Sequence, residues 1–241
     1  MQNERMGIKE KHLDKLSHNM YNKNSVMKHR YEGGEMMANR IEGVHEKLIE
    51  CAKEEFLLNG FERASIRTIA KNANTSTNSI YVRFADKENL YRCLVEPVIE
   101  GFLGLLDSMF SGFNSMSGEK QKEKVCTSSD SGFDRIISYI YDNFDLFKIL
   151  IMSGEINLYQ EFLHRVVDLD VACTTKYLTI TNNDALSCGR LNDNLAHILS
   201  VAFYSGFFEI IIHDMSKDEA ISNIARLRNF YKRGWEDIFN K

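Results

Sequence analysis

Apolar residues recur along this chain at three- and four-residue steps, and no segment shows the strict alternation of a half-buried strand. Val44, Leu48, Ala52 and Phe56 form an i, i+4 stripe that predicts a first helix from about Ile41 to Asn59, stopped by Gly60. Ile66, Ile69, Ala70 and Ala73 mark one face of a short second helix, and Ile80 and Phe84 one face of a third. Asp86 is placed to cap a fourth, with Leu90, Leu94, Val98 and Phe102 on its buried side. Pro97 inside that segment predicts a kink or an unpaired carbonyl. Residues 111–132 read as loop, after which helices are expected at Asp134–Asn143, Phe144–Ile151, Glu155–Thr179, Asn192–His213 and Lys217–Phe239. A break falls at Thr181–Asp184. The sum is an all-α chain of about nine helices.

The stretch Ser65–Lys87 organises the rest. Ser65 is a good N-cap, because its hydroxyl accepts from an orphan N–H of the first helical turn. Asn74 tolerates the left-handed conformation that a tight helix-to-helix turn needs, and Thr75 or Ser76 can cap the next helix. Helix, tight turn and short helix make a helix-turn-helix, with Thr77, Asn78, Ser79, Tyr81 and Arg83 facing outward. Small polar groups there suit base edges, and the Tyr81 hydroxyl and Arg83 cation suit phosphates.

Charge sharpens this reading. The whole chain carries a formal net charge of −4, which alone looks wrong for a DNA binder. From Arg63 to Lys87, however, Arg63, Arg67, Lys71, Arg83 and Lys87 face only Asp86 as an acid. From Cys93 onward there are 14 Lys/Arg against 21 Asp/Glu, a net of −7. A basic island on an acidic body suits a sequence-specific binder. Cys51, Cys93, Cys126, Cys173 and Cys188 are scattered and form no CxxC, which fits reduced thiols in a cytoplasm. No uninterrupted run of about 18 apolar residues is present, so no membrane span is expected. There is no glycine-rich phosphate loop, GxSxG or HExxH, so no enzyme, cofactor or metal site is expected. His164, His197 and His213 are isolated.

Gly60-Phe61, Ser65, Ile69-Ala70, Ala73, Ser76, Ile80-Tyr81, Phe84, Lys87 and Leu90 stand in one register. In it, residues 42 to 92 resemble the TetR family (TetR/AcrR type) of transcriptional regulators. Asn74 replaces a glycine of the family pattern, Thr75 a valine and Asn78 a second glycine, while Arg83 stands where histidine or tyrosine is commoner. The resemblance implies a helix-turn-helix DNA-binding domain over 38–87 and a helical ligand-binding and dimerisation domain over 88–241. It implies a bacterial, cytoplasmic homodimer that represses a palindromic double-stranded DNA operator and is released by a small apolar or amphipathic effector. DNA contacts are then expected from Ser65, Arg67, Thr75, Ser76, Thr77, Asn78, Ser79, Tyr81, Arg83 and Lys87. A pocket is expected among Phe102, Leu106, Phe110, Phe133, Tyr139, Phe147, Tyr159 and Phe162, although such aromatics equally read as plain core. Leu199, Phe203, Phe207, Ile210, Ile224, Leu227, Tyr231 and Trp235 read as internal core or, by the resemblance, as a dimer interface of two helices from each subunit.

Residues 1–37 are polar, and three readings stand side by side. They form a disordered arm whose cations touch phosphate, or a solvated tail. Alternatively, translation begins at Met36 or Met37, because the codons for Glu32–Glu35 are purine-rich enough to contain a ribosome-binding sequence. The rival to a regulator is a helical ligand-binding or interaction protein that has lost specific DNA recognition.

Overall fold

The computed structural model of the protein describes residues 35–126 and 131–240. Among the described residues there are ten α-helices and no strand. They are α1 (Glu35–Arg63), α2 (Ile66–Asn72), α3 (Thr77–Phe84), α4 (Lys87–Asn114) and α5 (Gly118–Cys126). After them come α6 (Ser131–Asp142), α7 (Phe144–Ile151), α8 (Leu158–Ile180), α9 (Asp193–Ile212) and α10 (Lys217–Asn240). Cα packing separates Met1–His45 from Glu46–Lys241. All packing reported below lies within the second unit; of the first, only the opening of α1 is described. The expected N-terminal arm falls outside the described residues up to residue 34.

Two expectations are corrected. The first helix begins at Glu35 rather than Ile41, since Glu35–Arg40 contains no helix breaker. The segment expected to be loop holds α5, and α4 runs on to Asn114. Gln121 ties α5 to the turn before it: it is fully buried, and its amide donates to the carbonyls of Phe113 and Met116 at 3.1 and 3.2 Å. Pro97 leaves α4 continuous; Pro97 and Cys93 are both exposed, so the carbonyl that loses its donor lies on the solvated side. Gly60 does end the first helical run, at φ 68° and ψ 177°, bending α1 before its last residues.

Helix α4 joins two cores. Its first turns bury Leu90, Tyr91 and Leu94 beside α1 and α3. Tyr91 sits edge-on to both Phe56 and Phe61, and its hydroxyl donates to the Ile149 carbonyl of α7. Farther along, Phe102 packs on Phe147, Phe162 and Phe208, with centroids 5.2–5.9 Å apart. Helices α8 and α9 close that core; Val166, Val167, Phe207 and Phe208 are fully buried. The mean hydropathy of α9 reaches 1.8, enough by length and composition to cross a membrane, yet much of it packs on the chain's own helices. At the far end the 180s loop caps α10: Asn183 Nδ2 donates to the Phe239 carbonyl and Arg190 Nε to that of Ile238, each at 2.9 Å.

Two glycines of α4 separate packing from propensity. A Cβ on Gly101 would lie 2.6 Å from Tyr139 Cζ, whereas one on Gly104 meets nothing within 4 Å. Gly101→Ala is therefore expected to destabilise the fold by about 1–3 kcal/mol as Tyr139 is displaced. Gly104→Ala is expected to stabilise it by about 0.5–1 kcal/mol. Opposite shifts of the thermal midpoint check the pair.

Candidate nucleic-acid interface

The helix-turn-helix is set by local hydrogen bonds. Ser65 caps α2, its hydroxyl accepting from Thr68 N–H at 3.3 Å, while the buried Glu55 carboxylate accepts from Ser65 N–H at 2.9 Å. Asn74 takes φ 52° at the turn, and Thr75 N–H closes it on the Ala70 carbonyl at 2.9 Å. Ser76, not Thr75, caps α3, accepting from Ser79 N–H at 3.2 Å. Ile80 and Phe84 then anchor α3 in the core.

The outward face of α3 differs from the expected one. Asn78, Tyr81, Val82 and Ala85 are exposed at i, i+3, i+4, i+7, with Tyr81 50% and Val82 75% accessible. Thr77, Ser79 and Arg83 are half-buried, and Arg83 Nη1 folds back on the Ser79 carbonyl at 3.1 Å and on its hydroxyl. Ser79 and Arg83 thus satisfy each other instead of pointing outward. Arg67 is exposed beside this face in sequence, as are Arg63 and Lys71. Val82 was missed because an apolar residue reads as core; its place one turn beyond Asn78 was the available signal.

Lys87 has an internal role. Its ammonium donates to the carbonyls of Glu62 and Ala64 at 3.0 and 3.1 Å and lies 4.6 Å from the Phe61 ring centroid. Burial pulls that ammonium below the usual lysine range, while Glu55 and Glu62 act the other way. The expected phosphate anchor is a brace between α4 and the end of α1. Between α3 and α4, Ala85 adopts φ 65° and ψ −48°, and Asp86 N–H bonds the Phe84 carbonyl at 2.8 Å. That is a classic-handed γ-turn, a strained conformation for a residue with a Cβ.

The ligand and dimer expectations also shift. A cavity of about 360 Å³ lies between the end of α4, α5, α6, α8, α9 and α10. Of the residues expected to line a pocket, Phe110 and Phe133 line this one. Phe102, Leu106, Phe147 and Phe162 are instead fully packed core. Tyr159 packs edge-on to Phe208, and Tyr139 lies against Gly101 with its hydroxyl 3.3 Å from the Val98 carbonyl. Of the expected interface, Phe207, Ile210 and Ile224 are buried inside the chain and cannot meet a partner. Leu199, Phe203, Tyr231 and Trp235 line the cavity, and Leu227 packs on Gly206. The apolar groups left outside on α9 and α10 are Ile198, Ile212, Ile221 and Phe230.

A capped helix-turn-helix with a polar outward face in a basic island, carried on an all-helical body, defines a DNA-binding transcriptional regulator. Residues 48–94 match the family model described as bacterial regulatory proteins, tetR family. The match spans the helix-turn-helix and the start of α4. No curated protein matches it in sequence. Among solved structures, a candidate TetR-family transcriptional regulator of Syntrophomonas wolfei str. Goettingen is 15% identical with a TM-score of 0.53, over 79% of this chain and 95% of that one. A TetR-like transcriptional regulator of Rhodococcus sp. RHA1 is 14% identical with a TM-score of 0.49, over 82% and 97%. At 15% identity the likeness to the Syntrophomonas structure is one of fold.

Ala85→Gly removes the Cβ penalty and is expected to stabilise the protein by about 1 kcal/mol, read as a higher denaturation midpoint in urea.

Proposed function

We propose that the protein is a homodimeric repressor that binds a palindromic operator through α3 and is released by a small ligand. The observation that carries the reading is the exposed Asn78–Tyr81–Val82 face inside the basic island. An asparagine amide pairs with adenine N6 and N7, a valine methyl packs on a thymine methyl, and a tyrosine hydroxyl reaches phosphate. Arg67 and Ser65, at the start of α2, serve the flanking backbone. A single short helix buries too little for tight binding, so a two-fold dimer reading half-sites about 34–36 Å apart completes the site. The surface for that dimer is the outer side of α9 and α10, where Ile198, Ile212 and Phe230 remain exposed. A ligand favouring a different separation of the two α3 helices lowers operator affinity by its differential binding to the two states.

Fluorescence anisotropy with DNA from upstream of the protein's own gene tests the reading. Asn78→Ala is expected to cost about 1–3 kcal/mol on the operator and little on unrelated DNA. Replacing the contacted thymine by deoxyuridine is expected to weaken the native protein about four-fold, the value of one methyl-sized group, and Val82→Ala to remove that difference. Absence of any preference for the upstream DNA would leave the rival, a helical protein without specific recognition. In sedimentation, Phe230→Glu is expected to shift dimer to monomer with the helical content unchanged; a persistent dimer would place the interface elsewhere.

A further inference from the structure

The cavity lies outside the packed core, and its chemistry is uneven. Its wall is mostly aromatic, with Phe133, Phe203 and Trp235 among the rings. Set into that wall is Asp170 of α8, beside Ser200 and Tyr204 of α9. Among the described residues no lysine, arginine or histidine forms an ion pair with Asp170. Burial pushes its carboxyl up to about 6, opposed by the hydroxyls of Ser200 and Tyr204. A carboxylate offers about four lone-pair directions, and two hydroxyls leave acceptor capacity toward the cavity. Ser200 is 2% exposed and lines the cavity beside that carboxylate, so its hydroxyl is a polar neighbour available to the same ligand group.

The cations that line the cavity stand on α5 and α10: Lys124, Arg228, whose guanidinium lies 4.2 Å from the Phe133 ring centroid, and Lys232, which pairs with Glu236 at 3.8 Å. Among the lining residues the carboxylate is that of Asp170 on α8. A volume of about 360 Å³ suits a two-ring molecule. Aromatic faces together with a carboxylate stabilise an ammonium better than they do a neutral or anionic group.

We propose that this cavity takes a small aromatic amine, its ammonium on the Asp170 carboxylate and Ser200 hydroxyl and its rings among Phe133, Phe203 and Trp235. The assignment rests on the proposal that this half of the chain receives a small-molecule effector, and it names the chemical class of that effector. Trp235 is the chain's single tryptophan, so its emission reports occupancy directly.

The test uses the full chain and three probes on one biphenyl body: biphenyl-4-ylmethylamine, biphenyl-4-ylmethanol and biphenyl-4-carboxylate. Affinities are measured by calorimetry and occupancy by Trp235 emission. The amine is expected to bind about ten-fold or more tightly than the other two. Asp170→Asn, which keeps shape and removes charge, is expected to abolish that preference and leave the alcohol's affinity unchanged. Tightest binding by the carboxylate, an amine preference that survives Asp170→Asn, or no change of Trp235 emission with any probe overturns the assignment. The ranking on the native chain decides even if the variant fails to fold. The regulator reading fails separately: an operator complex that the amine does not dissociate, despite occupying the cavity, removes the effector role and keeps the site.

Discussion

Helix α4 is buried in two cores at once, and the remaining helices are arranged around that fact. Its 28 residues span about 42 Å, so one rigid rod reaches from the helix-turn-helix to the cavity. At one end Tyr91 sits between Phe56 and Phe61 and bonds the α7 backbone, while Lys87 braces the carbonyls of Glu62 and Ala64. At the other, Phe102 belongs to the aromatic cluster beneath α8 and α9, and Phe110 and Phe113 face the cavity. The helix continues past Pro97, where the backbone ladder lacks a single bond on the solvated side, so α4 links the two ends as one element. Further contacts tie α1 to α7 and its C-cap: Lys53 pairs with Asp145 at 2.7 Å, and Gly60 lies near Met152. The DNA-reading end and the cavity end are therefore mechanically joined through packed groups with few alternative arrangements.

The recognition helix shows how internal bonding redistributes chemistry that composition alone would assign to DNA. Arg83 and Lys87 are cations in the basic island, yet each donates to the protein's own carbonyls. Both hold the geometry of α3 and its junction with α4, leaving Asn78, Tyr81 and Val82 as the free face. The strained γ-turn at Ala85 sits at the same junction and sets the angle at which α3 meets α4.

Helix α9 poses the opposite problem. It is apolar on nearly every side, so its periodicity ranks no face above another. Phe207 and Ile210 face the core, Leu199 and Phe203 the cavity, and Ile198 and Ile212 the outside. Three environments share one helix, and the stripe that reads as internal core or as an interface is divided between the core and the cavity. Asp170 and Ser200 acquire meaning only in this setting, since they lie thirty positions apart and meet where α8 and α9 pack together.

Short-range order was legible in the chain itself. Capping by Ser65, Ser76 and Asp86, the left-handed Asn74, the stop at Gly60 and the helical periods all depend on groups within a few residues of one another. Such bonds form whatever the rest of the protein does, so local pattern suffices to place the helix-turn-helix and the all-helical class. Tertiary packing alone settled which face each helix turns inward, where the cavity opens, and which cations are already engaged. Those outcomes depend on partners tens of residues away, such as Lys87 on Glu62, Tyr139 on Gly101 and Asp170 beside Ser200. No periodicity encodes a partner at that distance.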